Sequence, residues 1–259
     1  LAGVFQHYEQ WYPTGYPLVW EWHQEQLSDI VSRLILQEYF SREEDWVPVG
    51  LEQFVKGTMF LPLDNDVREL SLAGRIDRID WSPSQRTSRI IDYKYKKSSR
   101  SIPTSQALAR EVVRCKQLQP ALYFLLMEGG TLASQSFTKL GVPQGSSCSG
   151  VFFYYLAADN LGSTEGFTSV PFTSGRWKLL KPQIEKNLKI LMNGIQHGKY
   201  FVVPGDACRT CDFRTICHRT QFLSRWRAEA DRVQTKEYRD VRFAKVVMLA
   251  EPDKETKKE

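Results

Sequence analysis

Two aspartates and a lysine are the residues of this sequence best placed to do chemistry. Asp77 lies in Gly74-Arg-Ile-Asp77-Arg-Ile-Asp80, and Asp92 in Arg89-Ile-Ile-Asp92-Tyr-Lys94. Both runs read as β-strands, joined by the polar turn Ser82-Pro-Ser-Gln-Arg-Thr87. Asp77 and Asp92 are equally distant from the middle of that turn, between Ser84 and Gln85, so a symmetric hairpin sets their carboxylates opposite each other. Lys94 follows Asp92 by two positions and shares its face, whereas Ile91, Tyr93 and Tyr95 are expected to point into a core. Asp80 has the opposite parity to Asp77 and cannot line the same face without a bulge.

Carboxylates at cross-strand distance repel each other, and a hard divalent cation relieves the repulsion. Oxygen donors favour Mg²⁺ or Mn²⁺ over zinc. A cation held there polarises a phosphoryl oxygen and acidifies water, while the lysine stabilises hydroxide or phosphorane charge. That combination suits phosphodiester hydrolysis. The plain alternative is a β-ribbon with ordinary charges on its wet face.

The elements around the hairpin can be read from periodicity. Residues 17–39 repeat Leu18, Leu27, Ile30, Val31, Leu34 and Ile35 at helical spacing. The pattern turns to β after Trp46, with a first hairpin turning at Asp64-Asn65-Asp66. Residues 104–128 read as a helix that Pro120 interrupts, 129–150 as a Gly/Ser-rich loop, 151–156 as a buried central strand and 174–200 as a long helix. The expected division is a core over 1–203, a cysteine-bearing extension over 204–250 and a disordered charged tail over 251–259.

Hydrophobic residues make up 42% of the 259, enough for one sizeable core, and 35 basic against 30 acidic residues leave a modest +5 that leans toward a polyanionic partner. No apolar run reaches the roughly 18 residues that cross a bilayer, and no signal peptide is evident, so a cytoplasmic protein without a membrane partner is expected.

Gly74-x-x-Asp77, Asp92-Tyr-Lys94 and Gln119-Pro-Ala-Leu-Tyr123, in that order, resemble the PD-(D/E)xK nuclease superfamily in its RecB/AddB-type exonuclease branch. The resemblance implies an α/β restriction-endonuclease-like core, a mixed central sheet flanked by helices. It makes Asp77, Asp92 and the Tyr93 carbonyl metal ligands and Lys94 catalytic. Gln119 and Tyr123, one helical turn apart, would face DNA or brace the lysine; a helix face packed on the sheet is the other reading. Gly3-Val-Phe-Gln-His7 fits the branch's Gly-x-x-x-His, which adds His7 as a metal ligand, and Glu52 resembles an acid that holds a second metal or a water. Each also reads as an ordinary exposed side chain, and His23 has no motif around it. The basic run Tyr95 to Arg100 neutralises backbone phosphates or is a solvated loop.

Cys208, Cys211 and Cys217 lie close together among five cysteines, a pattern unlike a disulfide scaffold. In the branch resembled, Cys-x2-Cys-x5-Cys joins one upstream cysteine in binding a [4Fe-4S] cluster. That fourth cysteine would precede Leu1, as in a domain of a larger helicase-nuclease; Cys115, Cys148 or a zinc site using His218 are the alternatives. The resemblance implies a Mg²⁺- or Mn²⁺-dependent DNA exonuclease in repair or recombination, beside a helicase domain or subunit. Its rivals are a non-catalytic DNA-end-binding scaffold and a CRISPR-adaptation-type trimming nuclease.

Overall fold

The alternating stretch after Trp46 forms a long antiparallel hairpin, β1 (Val47–Leu63) with β2 (Asp66–Ser82). β3 (Thr87–Lys96) then folds back on β2 across the polar turn. The computed structural model describes residues 1–40, 45–63, 66–128, 138–140, 142–143, 146–159, 166–199, 206–217, 222–223, 226, 230 and 235–246. Asp64, Asn65, most of the expected 129–150 loop, His218 and the expected tail lie outside the described residues.

β3 pairs in parallel with β4 (Ser147–Ala157), which takes β5 (Thr168–Thr173) antiparallel on its other side. The sheet is therefore mixed, with strand order β1-β2-β3-β4-β5. A parallel pair needs a crossover, and α3 (Ser105–Val113) and α4 (Gln119–Glu128) lie in the connection from β3 to β4. Before the sheet come α1 (Ala2–Trp11) and α2 (Pro17–Phe40); after it come α5 (Ser174–Gln196) and α6 (Lys236–Arg242).

The main core joins Val55, Ile79, Ile90, Phe153 and Phe172 of the sheet to Val112 of α3, Phe124 of α4 and Trp177 and Ile184 of α5. The Phe124 and Trp177 rings stack with centroids 5.3 Å apart. By alternation the other face of β3 presents Ile91, which clusters with Tyr154 and Phe167 beneath Leu34 of α2. Strand β2 breaks strict alternation, because Ile76 and Ile79 have opposite parity yet both lie fully buried in the main core. The irregularities nearest this stretch lie on the neighbouring strand β1, a register shift between Pro48 and Gly50 and a positive φ at Glu52, and such bulges sharpen local twist.

Pro120 does not interrupt a helix. It occupies the first turn of α4, where its missing N–H is harmless, and the break lies over 114–118, with Cys115 at φ 53°. Tyr95 is 54% exposed rather than buried, because it lies past the small cluster that takes in Ile91 and Tyr93. The helix expected over 17–39 is present as α2, but it buries only Ile30 and Arg33. At the other end of the chain Val241 is fully buried, and the carbonyls of Ala244 and Lys245 accept bonds from Arg114 (3.3 Å) and Gln183 (2.9 Å). Among the described residues no helix is long and apolar enough to cross a membrane.

Candidate active site

The β2–β3 ladder runs from Ser82↔Thr87 to Arg78↔Ile91. Asp77 and Asp92 are the next pair in that register, one step past the last bridged pair, so they stand where the strands begin to part. The half-buried Asp77 turns one oxygen onto β3, and its Oδ2 accepts the Tyr93 backbone N–H at 2.9 Å.

Asp92 is 2% exposed. The Lys94 ammonium, on the same strand face, lies 2.5 Å from its Oδ2, and the Tyr123 hydroxyl donates to its Oδ1 at 3.1 Å. Gln119 Nε2 donates to the same oxygen at 3.3 Å. Gln117 donates to Gln119 Oε1 at 3.0 Å, which turns the Gln119 amide so that its NH₂ faces Asp92. Gln119 and Tyr123 are one turn apart on α4, whose following residue Phe124 is fixed by the Trp177 stack. Lys94 also sits 5.4 Å from the centroid of the Phe153 ring, a cation–π arrangement.

Burial raises the pKa of the Asp92 carboxyl above its ordinary value; Lys94 opposes this, and the charge of Asp77 adds to it. Burial also pushes the Tyr123 phenol up, reinforced by Asp92, so Tyr123 stays a protonated donor. A buried carboxylate with a second one beside it and a lysine at its free oxygen suits a hard divalent cation, which is commonly held by one or two carboxylates, with water and phosphate oxygens completing the shell.

The outlying candidates are placed less closely. Glu52 falls between Leu51, paired with Arg78, and Gln53, paired with Ile76, so it neighbours Asp77 in register. It takes an unusual φ of 50°, and its exposed carboxylate lies 3.7 Å from Arg75. His7 is exposed on α1 beside Trp11, and His23 is exposed beside Trp22. Among the described residues, no three His, Cys, Asp or Glu side chains come together as a metal-holding group. Asp77 and Asp92 are thus brought together without His7. Cys208 lies within one short 3₁₀ turn and Cys211 and Cys217 flank another; all three are half-buried and none is in a disulfide. Burial pushes the Cys115 and Cys148 thiols up to about 11 and about 12, which keeps both protonated. A [4Fe-4S] cluster needs four thiolates, and among the described residues no further cysteine joins Cys208, Cys211 and Cys217 in a metal-holding group.

Sequence reading missed a charged cluster on the reverse face of the sheet, where Glu38, Arg78, Asp80 and Arg89 meet behind Tyr93. The available signal was the Arg78-x-Asp80 spacing, which puts opposite charges on one strand face.

A solved structure, that of SSO0001, resembles this chain at 15% identity with a TM-score of 0.37, over 73% of this chain and 67% of its own. No curated protein matches. The family model of the PD-(D/E)XK nuclease superfamily matches residues 4–218, a span that contains the Asp77 strand, the Asp92-Tyr-Lys94 strand and the Gln119 helix, and the chain belongs to that superfamily.

Proposed function

We propose that this chain is a Mg²⁺- or Mn²⁺-dependent deoxyribonuclease that shortens DNA from strand ends. The observation that carries the proposal is the buried Asp92 carboxylate, held at one oxygen by Tyr123 and Gln119 and met at the other by Lys94, with Asp77 one register step past the ladder. When bound, the cation supplies Lewis-acid polarisation of the scissile phosphate and acidifies water.

The chain supplies the rest. Asp77, Asp92 and the Tyr93 carbonyl offer oxygen donors, and Glu52 stands near enough in register to hold a water. Tyr123 and Gln119 fix Oδ1 of Asp92, which leaves Oδ2 directed toward Lys94 and the reacting groups. Lys94 places a positive charge where an attacking hydroxide or a developing phosphorane needs it. The half-exposed ammonium is close enough to solvent to meet a phosphate. Exonuclease action in repair or recombination, beside a helicase domain or subunit, is the finer reading that the motif resemblance supports.

The deciding experiment incubates the protein with end-labelled single- and double-stranded DNA and with circular single strands, in Mg²⁺, Mn²⁺ or EDTA. Metal-dependent loss of linear DNA is expected, with circles spared. Asp92→Ala and Lys94→Ala should each lower kcat by about 100- to 1000-fold. Variants as active as the parent would end the catalytic proposal, and DNA binding without cleavage in every metal would favour a scaffold.

A further inference from the structure

The β2–β3 ladder stops at Arg78↔Ile91, so the proposed catalytic pair stands on strand segments that backbone bonds no longer tie together. Two bonds through Tyr93 cross this gap. On the site side its backbone N–H donates to Asp77 Oδ2 at 2.9 Å. On the reverse side Arg78 Nη1 donates to its hydroxyl at 3.2 Å. Asp77 and Arg78 are adjacent in β2, so one residue of β3 is clamped to consecutive residues of its neighbour, one from each face of the sheet.

Arg78 is itself held. Its Nε and Nη2 donate to the two oxygens of Asp80 at 2.6 and 3.0 Å, and Nη1 also reaches Glu38 of α2 at 2.7 Å. Asp80 is wholly buried and accepts a further bond from Arg89 at 3.0 Å, while the Arg89 guanidinium lies 4.5 Å from the centre of the Trp46 ring. Two arginines against two acids leave the cluster neutral. Burying such a cluster gains little stability over apolar packing, so fixed geometry is what it provides here. The bidentate Arg78–Asp80 pair in particular fixes the guanidinium plane.

We infer that Arg78 is a positioning residue for the metal-binding carboxylates, acting through the Tyr93 hydroxyl from the reverse face of the sheet. The inference rests on the nuclease reading given above. Tyr93 has Asp92 and Lys94 as its chain neighbours and Asp77 as its hydrogen-bond acceptor, so a shift of its ring moves all three groups. The partners of metal ligands commonly tune affinity in this way.

The test uses the full chain with Tyr93→Phe, Arg78→Lys and the double variant. The control is Ser84→Ala, because the Ser84 hydroxyl bonds Asp45 at 2.6 Å at the far end of β2. Mn²⁺ affinity is measured by calorimetry without DNA, alongside Tm and, with DNA, kcat and KM. Each single variant should weaken Mn²⁺ binding by about 10-fold and lower kcat with KM for DNA unchanged. The double variant should be no worse than the poorer single one. Ser84→Ala should bind Mn²⁺ as the parent does, whatever its Tm.

Variants that lose Tm but bind Mn²⁺ like the parent would overturn the inference, as would additive effects in the double variant. Tyr93→Phe removes one oxygen, so the test stands even if Arg78→Lys fails to fold. A parent protein that neither binds Mn²⁺ nor cleaves DNA would sink the nuclease reading and this inference together. A parent that does both, with unaffected variants, would sink the inference alone.

Discussion

Burial governs the proton affinity of Asp92 more strongly than the lysine beside it, and the sign of that effect can be measured. A carboxyl with a raised folded-state pKa is protonated in the folded chain before it is in the unfolded chain as pH falls. Between the ordinary value of 3.8 and the raised one the folded state binds more protons, so without metal the stability falls as pH rises through that window. Urea denaturation in EDTA across that window should show this slope, and Asp92→Asn should flatten it. Mn²⁺ competes with the same proton, so its affinity should climb over the window in which stability falls. An affinity independent of pH there would separate Asp92 from the metal. Tyr123→Phe should cost about 1.5–3 kcal/mol, the loss of one bond to a charged acceptor, together with a fall in kcat, read by urea melts and steady-state kinetics. At this scale Asp77, Asp92 and Lys94 were legible because a symmetric turn and strand parity are local rules. The Glu38–Arg78 contact was not, since it joins residues 40 positions apart through a helix whose docking no local pattern specifies.

Asp92 meets Tyr123 only because two helices end and begin at the right places. The α3 helix stops at Val113, whose carbonyl lies near the unbonded end of the helix, and Asn187 of α5 donates to it at 2.7 Å from a site 5% exposed. Asn187→Ala should therefore cost about 1–3 kcal/mol in urea denaturation, the penalty for a buried carbonyl left without its donor. A change below the error of the measurement would mean that water replaces the amide. Strong periodicity made α2, α5 and the three long strands readable from the chain. Pro120 was misleading because proline breaks a helix interior but suits a first turn, and only the position of the start distinguishes the two. β5 escaped notice because it is six residues long and carries Pro171, and its identity as a strand comes from pairing with β4.

The charge of the whole molecule is unevenly spread, and this decides how a polyanion would approach the site. Helices α1 and α2 carry Glu9, Glu21, Glu25, Asp29 and Glu38 against Arg33, so the net +5 must come from the rest of the chain. Lys97 and Arg100 are exposed immediately after β3, the strand that carries Asp92 and Lys94. Their segment is not loose. Asp159, just beyond β4, accepts the Ser98 hydroxyl and the Ser99 backbone N–H, each at 2.7 Å, and those bonds hold its carboxyl below its ordinary pKa. The two cations are thus presented from a fixed turn, as phosphate contacts flanking a scissile bond would need to be. If they serve that purpose, Lys97→Ala and Arg100→Ala should weaken binding to single-stranded DNA of any sequence. Each should also flatten the plot of log affinity against log salt by about 0.7, the expectation for one lost phosphate contact on a single strand. Asp159→Ala, which keeps both charges but frees the turn, should weaken binding while leaving that slope unchanged. The combination separates a positioned contact from a diffuse field: under a diffuse field, Asp159→Ala, which removes a negative charge, would leave binding unchanged or strengthen it, and removing another exposed lysine, such as Lys178, would match the loss at Lys97.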